Sequence, residues 1–98
     1  MMINKTQEKA KLCLAPVGRL DTTTAPAFER ELEASLVGVK ELIIDMKQLS
    51  YVSSAGLRVL LKAEKKMKTH GRMKVTGVNE VVMEVFEITG FADILTIE

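Results

Sequence analysis

The run Glu41-Leu42-Ile43-Ile44-Asp45-Met46-Lys47-Gln48-Leu49-Ser50-Tyr51-Val52-Ser53-Ser54-Ala55-Gly56-Leu57-Arg58 carries a strand, a loop and the opening of a helix in one short stretch. Its first six residues have a continuous apolar centre, which predicts a short strand buried on both faces. Ser53 and Ser54 then offer the side-chain oxygens that a helix N-terminus uses. The following residues place Gly56, Leu60, Ala63 and Met67 on one stripe, predicting a helix over about 55–69 that Gly71 stops. A buried strand feeding directly into a one-faced helix is half of a βαβ unit, and the rest of the chain is read from there.

Downstream, Arg72 to Val78 reads as another strand, with Asn79 as the cap of a third helix. Val82, Val85, Phe86 and Ile88 form that helix, Gly90 ends it, and Phe91 is placed to make the apolar contact that closes a helix C-terminus. Ile94 to Ile97 reads as a last short strand. Upstream, Phe28, Leu32 and Leu36 recur at four-residue spacing, predicting a helix over about 24–37 ending near Gly38. Thr22-Thr23-Thr24 supplies an N-cap and Pro26 suits the first turn, where the amides are unpaired anyway. Residues 2–8 and 11–17 read as a polar and a more apolar strand joined in a hairpin, with Pro16 near a strand end. The order β-β-α-β-α-β-α-β predicts a small single α/β domain spanning 1–98. Its mixed sheet combines an N-terminal antiparallel hairpin with parallel βαβ units, and helices pack on the sheet.

Composition narrows the chemistry. The chain has 98 residues, 47% apolar and 28% charged, which suits one globular core and argues against disorder or collagen-like structure. Its net charge of +1 names no partner. No apolar run approaches the roughly 18 residues of a membrane span, and the first residues have no apolar signal core, so membrane insertion and export are not expected. A single cysteine, Cys13, excludes an internal disulfide framework and suits a reducing cytoplasm. With His70 as the only other soft ligand, no metal is expected, and no motif calls for a cofactor. What remains is a protein working through hydroxyls, carboxylates and surface shape.

The serine turn is the most pointed local feature. A carboxylate, Asp45, ends the buried strand, and two serines follow where the chain enters a helix whose first amides are unpaired and whose dipole end is positive. Such a position tolerates a negative group, and Ala55 and Gly56 allow another surface to approach the backbone. The plainest role for Ser53 or Ser54 is an N-cap. A nucleophile is not supported: Ser54 lacks the G-x-S-x-G elbow. His70 lies about fifteen helical residues away, roughly 20 Å, so the two cannot act together within one chain. His70 itself reads as a C-terminal cap or a solvated side chain.

Residues 58–74 hold Arg58, Lys62, Lys65, Lys66, Lys68, Arg72 and Lys74 against Glu64 alone, a net +6 that leaves −5 on the rest. Nucleic acid is an obvious candidate for such a surface. The interleaved Leu57, Leu60, Leu61 and Met67 put the lysines on an outer helix face, and aromatic stacking partners are nearly absent. A solvated face, or a docking face for an acidic protein, fits better, so no direct nucleic-acid contact is expected.

Gly18-Arg19-Leu20-Asp21 opening into a helix, a buried strand ending in Asp45, and Tyr51 to Leu61 with its serine turn together resemble the STAS family. Within it the chain resembles the stand-alone bacterial anti-sigma factor antagonists, along essentially its whole length and including Thr89-Gly90-Phe91 near the end. The resemblance implies that Ser54, two residues before the glycine of the turn, is phosphorylated, with Ser53 as the alternative. It implies that Asp21, at the head of the first helix, lies close to that serine, and it matches Asp45 to the acidic residue ending the central strand. Many relatives carry Asp just before the phosphoserine, where this chain has Ser53, which removes one orienter of the target hydroxyl. The implied partner-binding patch comprises Asp21, Thr22, Thr23, Ser53, Ala55, Gly56, Leu57 and Arg58. The implied partners are an anti-sigma factor that is itself a serine kinase of the GHKL type, and a phosphoserine phosphatase. The implied role is a non-enzymatic one: unphosphorylated, the protein binds the anti-sigma factor and frees a sigma factor for transcription. A soluble STAS scaffold subunit of a membrane lipid-transport or stressosome-like complex, and a small-ligand or nucleotide module using the Asp21–Ser54 corner, are the other readings that the same motif allows.

Overall fold

The computed structural model describes residues 1–98. In chain order the elements are β1 (Ile3–Glu8), β2 (Lys11–Pro16), β3 (Gly18–Leu20), α1 (Ala25–Ser35), β4 (Glu41–Asp45), β5 (Leu49–Val52), α2 (Ser54–His70), β6 (Arg72–Thr76) and α3 (Glu80–Thr89). A 3₁₀ turn over Phe91–Asp93 follows α3. The main sheet has the order β1-β2-β4-β6, with β1 antiparallel to β2 and both β2–β4 and β4–β6 parallel. This is the mixed sheet expected, with its N-terminal hairpin and its βαβ units.

Register makes the core. Leu12, Leu42 and Met73 lie side by side across three strands, as do Leu14, Ile44 and Val75, and all six are buried. On the opposite face the matching rows are Lys11–Glu41–Arg72 and Cys13–Ile43–Lys74, none of them buried. Glu41 is flanked there by Arg72 at 3.7 Å and Lys74 at 4.0 Å, cross-strand pairs of opposite charge. The expectation that the 41–46 strand is buried on both faces is therefore corrected. Leu42, Ile44 and Met46 are fully buried while Ile43 is half-buried, because it lies on the face that carries the charged Lys11–Glu41–Arg72 row and Lys74. Near Asp45, burial pushes the Cys13 thiol pKa up, and the Asp45 carboxylate adds to that shift.

α1 and α2 pack against each other, α2 on β6, and α3 on β5. Phe28 and Leu32 of α1, Leu60, Ala63 and Met67 of α2, and Val82 and Phe86 of α3 join one cluster of 22 buried apolar residues. Two helix ends follow their sequence signals. The Asn79 carboxamide oxygen accepts the Val82 amide at 2.8 Å while its NH₂ donates to the Leu49 carbonyl at 2.9 Å, so one residue caps α3 and ties it to β5. Gly71 ends α2 where a Cβ would stand 1.9 Å from the Lys40 carbonyl oxygen, a spacing only glycine can meet.

Three further expectations need correction, and one element was not expected. The threonine run does not cap α1 by a side chain: Thr24 stands at the N-cap with no such bond, its hydroxyl donating instead to the Arg19 carbonyl at 2.7 Å. Ile88 belongs to α3 but faces outward, 77% exposed. The strand over 94–97 reduces to a single parallel bridge between Val75 and Ile97. Finally, β3 and β5 pair as a parallel two-stranded sheet that the hydrophobic pattern did not announce. No helix is long and apolar enough to cross a membrane.

Candidate functional site

The small β3–β5 sheet builds the site. Leu20 of β3 lies opposite Val52 of β5, and the Ser53 amide donates to the Leu20 carbonyl at 2.9 Å. Two parallel strands in this register leave the sheet at the same edge, so Asp21 and the Ser53–Ser54 turn emerge side by side although 32 positions separate Asp21 from Ser53. Gly56 permits the contact behind them: a Cβ there would lie 2.8 Å from Leu20 Cγ and 2.9 Å from its carbonyl oxygen. The first turn of α2 thus rests directly on the end of β3.

The two serines differ. Ser53 is the N-cap residue of α2, extended at φ −95 and ψ 177, and its carbonyl accepts the Leu57 amide at 2.9 Å. Its hydroxyl, however, makes no cap bond and is buried without a partner. Ser54 is the first helical residue and is exposed. No side chain caps α2 and no acidic residue sits in its first turn, so the positive end of the helix dipole is left uncompensated next to Ser54.

Asp21 organises the adjoining loop. One of its carboxylate oxygens accepts the Thr23 hydroxyl at 2.7 Å, the Thr23 amide at 3.0 Å and the Thr24 amide at 3.3 Å. Its backbone carbonyl takes the Ala25 amide at 2.7 Å, starting α1. The Thr23 hydroxyl, followed by these amides and Arg19, holds the Asp21 carboxyl below its ordinary value of 3.8. Thr22 and Thr23 are exposed beside it.

Of the residues expected in the partner patch, Thr22, Thr23 and Arg58 are exposed and Asp21, Ser53 and Ala55 are half-buried, with the expected phosphorylation site Ser54 exposed beside them. Gly56 and Leu57 are buried, the latter within the apolar cluster, so they shape the turn from beneath. Asp45 stands at the entry to β5 and Ser54 just past its exit. Its carboxylate accepts the Lys47 amide at 3.1 Å and pairs with Lys47 Nζ at 3.5 Å, serving its own turn. Two neighbours escaped the sequence reading as site residues. Arg19 and Tyr51 are register partners on β3 and β5, with the guanidinium 4.6 Å from the ring centroid. Arg19 Nε also lies 3.5 Å from the Asp21 carboxylate. Both residues sit in the quoted motifs, but only the strand pairing puts them together.

Comparison with known proteins places this geometry. The STAS domain family matches residues 2–98. The anti-sigma-B factor antagonist of Listeria monocytogenes is 35% identical over 85 residues, covering 83% of this chain and 73% of its own. Among solved structures, an anti-sigma factor antagonist from Mycobacterium paratuberculosis superposes with a TM-score of 0.88 at 20% identity, covering 98% of this chain and 83% of its own. The anti-sigma factor antagonist SpoIIAA superposes in its unphosphorylated form with a TM-score of 0.84 at 16% identity, covering 99% of this chain and 88% of its own. The Bacillus SpoIIAA structure in the phosphorylated form gives 0.76 at 15%, covering 99% and 91%. With the family matched from its second residue to its last, and with a paired sheet that brings Asp21 to the serine turn, this chain belongs to the STAS domain family.

Proposed function

We propose that the chain is an anti-sigma factor antagonist switched by phosphorylation of Ser54. Unphosphorylated, it binds an anti-sigma factor that is also a serine kinase of the GHKL type and so releases a sigma factor. Phosphorylated, it is rejected, and a phosphoserine phosphatase resets it. The observation that carries the reading is the contrast within the turn: Ser54 is exposed at an uncapped helix N-terminus beside Asp21, whereas the Ser53 hydroxyl is buried. The similarity to proteins described as anti-sigma factor antagonists supports the partner class.

The physics of the switch is local. A phosphoryl group adds about −1.5 to −2 charge. At the start of α2 the helix dipole and free amides favour that charge, so the fold is retained. Against a bound partner that offers it no basic contact, the same dianion is desolvated, which opposes binding by several kcal/mol. Asp21, a few residues from the turn in space and ionised at neutral pH, sharpens the repulsion on that side. Gly56 and Leu57 fix the height of the turn; Thr22, Thr23 and Arg58 surround it at the surface.

The test is binding of the anti-sigma kinase to Ser54→Ala and Ser54→Glu, measured by calorimetry. Ser54→Ala is expected to bind as the unmodified chain does and to resist ATP-dependent release. Ser54→Glu is expected to bind at least about tenfold more weakly, a difference of roughly 1.4 kcal/mol. Equal affinities for the two variants would contradict the switch.

A further inference from the structure

Two surface features lie apart from the serine turn, and each has the shape the other lacks. On α3, Val81, Val85 and Ile88 fall at i, i+4 and i+7, a single stripe continuing the buried face out into solvent. Val81 is 56% and Ile88 77% exposed, and Glu80, Glu84 and Glu87 run along the stripe's outer edge. Between α1 and α2 lies a groove of about 400 Å³ with a floor of Leu32, Leu36, Val59 and Ala63. Lys62, Lys65 and Lys66 rim it on the α2 side, and a smaller depression continues past Leu36 to Val37, which is 88% exposed. Glu29 and Glu33 stand on the α1 wall, where Lys62 pairs with Glu29; Lys65 and Lys66 have no acidic partner.

Charge is divided in the same way. Residues 1–57 hold seven bases and seven acids, residues 58–74 carry +6, and residues 75–98 hold five acids and no base. We infer that α3 of one molecule docks in the α1–α2 groove of a second copy, its Val81–Val85–Ile88 stripe on the apolar floor and its glutamates against Lys65 and Lys66. This is helix-in-groove recognition, with anchors spaced as one helix face presents them. The stripe is only about 10 Å long, so the contact is small, weak and reversible. Knob and groove are different surfaces of one chain, so the association is head-to-tail and extends rather than closing as a symmetric dimer. Neither surface contains Ser54 or Asp21, so the inference stands or falls independently of the switch.

Sedimentation velocity on the full chain tests it. At about 50 mM salt the weight-average mass is expected to rise above the monomer with concentration; at about 500 mM, where surface charges are screened, the association constant should fall at least about tenfold. Ile88→Asp, which removes the knob, and Lys65→Glu with Lys66→Glu, which removes the groove's charge, alter exposed positions and should each give monomers. An equimolar mixture of the two variants retains one intact knob and one intact groove, and should form dimers that grow no further. A wild-type chain monomeric at all concentrations in low salt would overturn the inference. So would a variant that assembles as the wild type does, or a mixture that stays monomeric.

Discussion

At the scale of single residues, the site depends on three that do unlike things. Asp21 is a loop organiser whose carboxylate is held ionised by hydrogen bonds to the Thr23 hydroxyl and the Thr23 and Thr24 amides. Because its folded-state pKa lies below the ordinary 3.8, its contribution to stability is present above that value and is lost as pH falls through the lower one. An NMR titration of the carboxyl carbon should show Asp21 protonating below 3.8, and Asp21→Asn should remove that transition. Gly56 is required by contact: a methyl group there would enter the space of Leu20. Gly56→Ala is expected to destabilise the fold by about 1–3 kcal/mol and to displace the serine turn, readable by denaturant melts and by loss of partner affinity. Ser54 contributes only its position, and Ser53→Ala should therefore leave phosphorylation intact.

Among the elements, legibility tracked length and periodicity. α1 and α2 announced themselves through Phe28–Leu32 and Gly56–Leu60–Ala63–Met67, and the main-sheet strands through runs such as Leu42-Ile43-Ile44. β3 and β5, at three and four residues, carry too few alternations to register. They are nonetheless what places Asp21 against the turn. Family resemblance implied that neighbourhood, and the pairing of Leu20 with Val52 provides its physical basis. The last strand failed for the opposite reason, since four apolar-rich residues looked like a strand but a single bridge, Val75 to Ile97, joins them to β6. Loop chemistry was least legible: the threonine run marked the start of α1, yet its hydroxyls serve the turn around Asp21, through the Asp21 carboxylate and amide and the Arg19 carbonyl, and none caps the helix. Two element ends invite substitution. Lys9 in the β1–β2 turn has φ +56, a left-handed conformation disfavoured by roughly 1 kcal/mol or more for a side-chain-bearing residue. Lys9→Gly should therefore stabilise the hairpin and raise Tm by a few degrees. Gly71→Ala should do the reverse and more strongly, by about 2–4 kcal/mol, because the Lys40 carbonyl occupies the space its methyl would need.

Over the whole molecule, a net charge of +1 conceals a strong separation. The basic run begins four residues after Ser54, and part of it is spent internally: Lys62 on Glu29, Arg72 on Glu41, Lys74 on Glu98. Arg58, Lys65, Lys66 and Lys68 remain unpaired on the outer face of α2, a surface suited to an acidic protein partner. The phosphorylation proposed at Ser54 would place its charge at the head of this same helix, with the 22-residue core beneath it. The modified and unmodified chains should accordingly melt within a few degrees of each other while differing at least about tenfold in partner affinity. The measurement that bears most directly on this account is incubation with the anti-sigma kinase and ATP, followed by mass spectrometry of the peptide spanning residues 48–58. The account predicts a single phosphate on Ser54 in the wild-type chain and none in Ser54→Ala. A peptide without phosphate, or a phosphate carried by Ser53, would contradict it.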